Sequence, residues 1–281
     1  MLKKSKVMIL NKIKSKLKNK FTRYTPIYIC STTEECLIDR IALITGGSSG
    51  IGKAMAKQFV KSGAKVIITG RNENRLKEVV SEIGDNSVYY VLDNVDTEQF
   101  EFAFEEINSL FGNIDILVNN AGIIGKTSFP NMSVQDWDNV IATNLRGPVF
   151  LSQVFVKHCI KNNIKGNILN IGSSSCLRPA ISSYTMSKWG IRGFTLGLAK
   201  SCAKYGITVN GIAPGPTATP ILGAEIEDYR NDLIPAGRFA ACEEIASMAV
   251  KLVSESGRMI IGDMVYMTGG AGNLTFDDII Y

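Results

Sequence analysis

Tyr184 and Lys188 stand four residues apart in the stretch SSYTMSKWG. At that spacing the two side chains share one face of a helix. A tyrosine is a poor acid or base at neutral pH, since its free pKa is about 10. An ammonium beside it favours the phenolate and lowers that value. The pair is therefore suited to exchanging a proton with a carbonyl or alcohol oxygen. Upstream, Ser173, Ser174 and Ser175 in NIGSSSC supply hydroxyls that can hold the same oxygen. The competing reading is ordinary helix decoration, and the choice depends on what the fold brings to these residues.

Other chemistries are narrowed by composition. The 281-residue chain has a single histidine, His158, which excludes a histidine-rich metal site and leaves one candidate for a catalytic triad. That residue falls late in a long helical pattern, a poor place for a triad base. The six cysteines are scattered, with no C-x-x-C pair, and read as reduced thiols of a cytoplasmic protein. With 45% hydrophobic and 20% charged residues, the composition is that of a soluble globular protein.

The net charge of +5 is concentrated at one end. Nine of the 31 basic residues lie in residues 1–24, which contain no acid. The remaining 22 against 26 acidic residues leave the rest of the chain at −4. Nucleic-acid binding is therefore not expected. Leu10, Ile13, Leu17 and Phe21 recur at helical spacing among the lysines. Two readings of this leader stay open: a helix making peripheral contact with an anionic membrane surface, or a solvated arm. Residues 1–38 read as a basic extension and connector, and residues 39–281 as one catalytic domain.

Within that domain, short apolar runs at 41–45, 65–69, 87–92, 114–118, 166–171, 206–212 and 263–267 read as strands. Helical patterns at 51–62, 73–83, 97–111, 134–162, 184–204 and 242–254 lie between them. This alternation predicts an α/β fold: a doubly wound parallel sheet of Rossmann type, about seven strands with helices on both faces. The first strand runs into TGGSSGIG, Thr45–Gly52. Gly46 permits a tight turn, and Gly50 and Gly52 allow a pyrophosphate and the following helix to approach closely. The helix start around Ser48, Ser49, Gly50 and Ile51 supplies N–H donors for phosphate. At the end of the second strand Arg71 stands where an NAD-binding chain commonly has an acid. A guanidinium suits a 2′-phosphate, so NADP(H) is the expected cofactor and NAD(H) the alternative.

These motifs, in this order, resemble the short-chain dehydrogenase/reductase family from about Ile41 to Gly272. The glycine turn has its T-G-x-x-x-G-I-G form, and Tyr184 to Lys188 its Y-x-x-S-K form. The resemblance implies an oxidoreductase interconverting a ketone and a secondary alcohol. Tyr184 would be the acid/base, tuned by Lys188, which also reaches the cofactor ribose. Ser173 would hold the substrate oxygen, although its interval of eleven residues to Tyr184 is shorter than the family's usual one, which keeps Ser174 in play. Asn144 would hold a water that links Lys188 to solvent. Asp93 and Asn94 would lie at the adenine, and Asn120, within NNAG, beside the cofactor. Pro214, Gly215, Thr217 and Thr219 would close over the nicotinamide. Ser49 occupies a position where many NADP-dependent relatives carry a second basic residue.

The resemblance points to a 3-oxoacyl-type reductase, with a sugar or polyol dehydrogenase as runner-up and a dinucleotide-binding scaffold without turnover as the third reading. It also implies a homo-oligomer, a tetramer or dimer. Arg178, in the loop before Tyr184, reads as a solvated charge or as a contact for an anionic substrate.

Overall fold

The computed structural model describes residues 36–219 and 231–274. The basic leader therefore lies outside the described residues, as do residues 220–230. All described residues fall in one compact unit, residues 32–281.

Seven strands form one parallel sheet: β1 (Ile41–Thr45), β2 (Lys65–Gly70), β3 (Ser87–Val91), β4 (Ile116–Asn119), β5 (Asn167–Ile171), β6 (Thr208–Pro214) and β7 (Met264–Met267). Their order is β3-β2-β1-β4-β5-β6-β7, so the winding direction reverses between β1 and β4. Ligands of such sheets bind outside the strand ends at this reversal. The helices are α1 (Gly50–Lys61), α2 (Glu73–Ile83), α3 (Phe100–Phe111), α4 (Val134–Ile141), α5 (Gly147–Asn162), α6 (Ser183–Cys202) and α7 (Cys242–Val253).

Successive strand residues feed opposite cores, as the two-residue period requires. Ile44, Ile68, Val118 and Leu169 pack under α1, α2 and α7. Their neighbours Leu43, Ile67, Leu117 and Ile168 pack under α3, α5 and α6. Each such buried side chain contributes about 1.5–3 kcal/mol. The amino-terminal end of the sheet is tied shut. Arg40 pairs with Asp115, donates to Asn167 Oδ1 at 2.6 Å and reaches the Val253 carbonyl at 3.3 Å. The carboxyl end remains open.

The pattern read as one helix over 134–162 is in fact two helices joined by a π turn, Ala142–Arg146. Two contacts account for the extra residue. The Asn144 side chain turns inward against Ile123, and Gly147 packs so closely on Asn94 that an added Cβ would lie 2.3 Å from the Asn94 carbonyl oxygen. Wide turns of this kind recur where a helix must present a side chain out of register. Strand and helix bounds otherwise fall within about three residues of the expected ones. Among the described residues no helix is long and apolar enough to cross a membrane, and no His, Cys, Asp or Glu cluster could hold a metal ion.

Candidate active site

A cavity of about 550 Å³ opens at the carboxyl ends of the strands. One end is built by the glycine turn. Thr45 Oγ1 accepts from the backbone N–H groups of Asn120 and Ala121 at 3.0 and 3.1 Å, clamping β1 to the NNAG segment. Asn120 Nδ2 donates back to the Thr45 and Gly46 carbonyls at 2.9 and 3.1 Å. Gly46 has φ +67°, and a Cβ there would stand 2.8 Å from Ala121 Cα. A Cβ on Gly52 would stand 2.3 Å from the Gly46 carbonyl oxygen. Both positions thus need glycine for helix α1 to start against the turn. No acid stands in the first turn of α1, so its free N–H groups and positive dipole end are not neutralised from within.

At the end of β2, exposed Arg71 lines the cavity and has no carboxylate partner among the described residues. Glu73 does not compete for a ribose: it pairs with Lys77 at 2.9 Å and accepts from the Tyr89 hydroxyl at 3.1 Å. Those contacts hold its carboxyl below the usual range. Ser48 Oγ stands beside Gly70, 3.6 Å from where its Cβ would be. A hydroxyl and a guanidinium therefore converge on one end of the cavity. Further along the wall, Asp93 accepts from Val95 N–H at 3.2 Å. Asn94 Nδ2 and Thr69 Oγ1 are buried on the cavity wall and make no hydrogen bond among the described residues. Buried polar atoms of this kind require partners. A nucleotide with phosphates and a heterocyclic base fits these donors and the bare helix end.

The other end carries Ser173, Ser174, Tyr184 and Lys188. Ser182 caps α6: its hydroxyl accepts from Thr185 N–H at 3.2 Å, and Thr185 Oγ1 accepts from Ser182 N–H at 3.1 Å. This reciprocal cap sets Tyr184 in the first turn, with Lys188 one turn later. Ser173 is the cap of the short turn Ser174–Leu177, accepting from Ser175 N–H at 3.1 Å. Its hydroxyl donates to Ser175 Oγ at 3.1 Å and lines the same cavity wall as Tyr184. Ser174 is buried and lines the same cavity, so both serines remain candidates for holding the substrate oxygen.

The electrostatics differ from the expected tuning. Burial pushes the Tyr184 phenol above its ordinary pKa, and the Ser173 hydroxyl only partly opposes it. Burial also pushes Lys188 down to about 8. Lys188 Nζ lies 5.6 Å from the Tyr184 ring centre and donates to the Ile171 carbonyl at 2.9 Å. Desolvation outweighs charge–charge tuning here, so the Tyr184 phenol holds its proton at neutral pH.

Asn144 makes direct side-chain bonds to two neighbouring segments. Its Oδ1 accepts from Ile123 N–H at 2.8 Å, and its Nδ2 donates to the Ile123 carbonyl at 2.9 Å and to Ser187 Oγ at 3.1 Å. With its amide committed in this way, the side chain braces the site from behind and is not among the residues lining the cavity, nor is Gly52. Pro214, Gly215, Thr217 and Thr219 line the cavity where expected. Arg178, read from sequence as either solvated or substrate-facing, is on the wall. Sequence reasoning missed Thr69, Ile124 and Phe239 as wall residues; no motif marks them. His158 packs edge-on to Phe104 and takes no part in the cavity.

Comparison with known proteins agrees with this geometry. The short chain dehydrogenase family model matches residues 40–230. The 3-oxoacyl-acyl-carrier-protein reductase FabG of Salmonella typhimurium is 37% identical over 236 residues, covering 82% of this chain and 96% of the relative. The crystal structure of a 3-ketoacyl-acyl-carrier-protein reductase from Brucella melitensis complexed with NADH superposes with TM-score 0.78 at 33% identity, covering 84% of this chain and 99% of that one. A putative gluconate dehydrogenase from Agrobacterium tumefaciens gives TM-score 0.79 at 30% identity, covering 86% and 99%. The chain belongs to the short-chain dehydrogenase/reductase family and is an oxidoreductase acting on carbonyl or alcohol groups.

Proposed function

We propose that the protein is an NADP(H)-dependent reductase of 3-oxoacyl thioesters. The supporting observation is a single cavity with an anion-receiving end at α1 and Arg71 and a proton-donating end at Ser173 and Tyr184. A bound NADPH supplies the hydride for the substrate carbonyl carbon. Tyr184 gives its phenolic proton to the carbonyl oxygen, and the Ser173 hydroxyl holds that oxygen in place. The Lys188 ammonium offsets the charge left on the phenol. Asn144 and Ser187 keep the first turn of α6 in position. Arg71 and Ser48 receive the 2′-phosphate, and Asn94 and Asp93 the adenine end. The likeness to FabG supports a thioester substrate. NADPH-dependent reduction of acetoacetyl-CoA, followed at 340 nm, tests the reading; no turnover would refute it.

A second reading, oxidation of a sugar acid, draws on Arg178 in the cavity wall and on the gluconate dehydrogenase likeness. A guanidinium there suits a carboxylate. Gluconate offered with NADP and NAD tests it in the same assay. We further propose a cytoplasmic homo-oligomer, dimer or tetramer, to be measured by light scattering. For residues 1–24 we propose a basic arm able to rest on anionic lipid, tested by vesicle cosedimentation with and without those residues.

A further inference from the structure

Three exposed apolar side chains lie on the two segments that meet before Tyr184: Ile124, Phe129 and Ile181, with 46%, 72% and 59% of their surfaces open. Isolated apolar residues are ordinary on a protein surface; the arrangement of these three is not. Ile124 lines the cavity itself. Its segment lies against the start of α6, since a Cβ on Gly125 would sit 2.8 Å from Ser183 Oγ. Ser128 and Ser182 form an antiparallel bridge, and Phe129 N–H donates to the Ile181 carbonyl at 3.0 Å. Residues 129 and 181 are therefore cross-strand partners, with side chains on one face of the ribbon. Ser182, on the opposite face, turns its hydroxyl inward to cap α6. The Phe129–Ile181 face thus points to solvent, and the ribbon ends two residues before Tyr184. Ile124 is on the cavity wall, and the Phe129–Ile181 pair is on the ribbon that leads into Tyr184.

We propose that Ile124, Phe129 and Ile181 seat the aliphatic tail of the substrate, so that the enzyme selects 3-oxoacyl groups extending several methylenes past the reacting carbonyl. This rests on the 3-oxoacyl reading above. The placement of the ribbon argues for this occupant: it ends two residues before cavity-lining Tyr184, and the Ile124 segment lies against the same helix start. A second copy of the chain is a poorer fit. Three half-exposed side chains offer far less than the roughly 800 Å² that each partner buries in a stable pair, whereas an alkyl chain needs no more.

The test is kcat/KM of the full-length enzyme with NADPH and 3-oxoacyl-CoA substrates of four and eight carbons. Partial shielding of the added methylenes raises the eight-carbon value about tenfold. Phe129→Ser and Ile181→Ser, made separately, bring the eight-carbon value close to the four-carbon one and leave the latter within about twofold. A flat wild-type series overturns the seat, as do equal losses on both substrates. Equal losses with a changed oligomeric state would assign the surface to a second copy instead. Calorimetric titration with butanoyl- and octanoyl-CoA, which carry no 3-oxo group, needs no turnover. If the wild type reduces no four-carbon thioester, the 3-oxoacyl reading falls, and the seat stands only if octanoyl-CoA binds more tightly in the wild type and not in the variants.

Discussion

Asn144 and Ser187 meet at 3.1 Å, and Ser187 Oγ in turn donates to the Tyr184 carbonyl at 2.7 Å. Through these two bonds the π turn and the first turn of α6 hold one another. Tyr184 is therefore positioned by a helix defect about forty residues upstream in sequence.

Replacing Asn144 with Ala should release this brace. Ser187 Oγ and both polar groups of Ile123 lose their partner in a buried setting, which costs on the order of 1–3 kcal/mol. For a domain of this size the melting temperature should fall by about 2–4 °C per kcal/mol, and kcat should fall more than KM rises. Scanning calorimetry and steady-state kinetics check both, and an unchanged melting temperature would remove the brace.

Tyr184→Phe should lower NADPH-dependent reduction by about 10²–10⁴, the usual contribution of a positioned acid. NADPH affinity, read by fluorescence titration, should stay near that of the wild type. Full activity in the variant would dismiss Tyr184 as donor. Tight NADPH binding without turnover in both proteins would favour the scaffold reading.

Arg71→Asp should raise KM for NADPH by about tenfold to a hundredfold, the value of a charge-assisted contact, and improve use of NADH. The ratio of the two kcat/KM values is the readout. A ratio that does not move would place the 2′-phosphate elsewhere.

The pKa of Lys188 gives a prediction with a definite sign. Its folded value, about 8, lies below the ordinary lysine value of 10.5. Below pH 8 the folded state carries a buried ammonium, and the burial cost is fully present. Between pH 8 and 10.5 the unfolded chain holds the proton and the folded one does not, so this group raises stability as pH rises. Lys188→Met should therefore be more stable than the wild type at pH 7, with the difference shrinking towards pH 10. Comparing the two proteins by urea unfolding cancels the opposing effect of Cys159, whose thiol burial pushes up to about 12. A gap that does not change with pH would contradict the assignment.

In the free enzyme, kcat/KM for reduction should be level near pH 7 and decline above about 8, as Lys188 loses its charge while Tyr184 keeps its proton. A decline absent until above pH 10 would assign the titration to the phenol alone.

Much of this was legible in the sequence because the relevant signals are local. Solid apolar runs marked the strands, and the glycine turn after β1 marked the nucleotide end. Tyr184 and Lys188 announced themselves by helical spacing. The π turn was hidden because its cause is tertiary: Ala142–Arg146 read as helix until Ile123 and Asn94 are placed beside them. The pKa directions were hidden for a related reason. A lysine one turn from a tyrosine suggests mutual tuning, but the amount of water each has lost depends on β5 and the NNAG segment closing around them. Ser173 and Ser174 are adjacent and both line the cavity, so neither spacing nor position on the wall separates them.

The Arg40–Asp115–Asn167 knot has a consequence for how such a chain can change over generations. It fastens the starts of β1, β4 and β5 from below, with no help from the loops above. A segment such as 126–133 can then be exchanged for that of another relative without loosening the sheet that carries it. Substitutions at Arg40 should be purged whatever the substrate, while the upper rim is free to explore new ones.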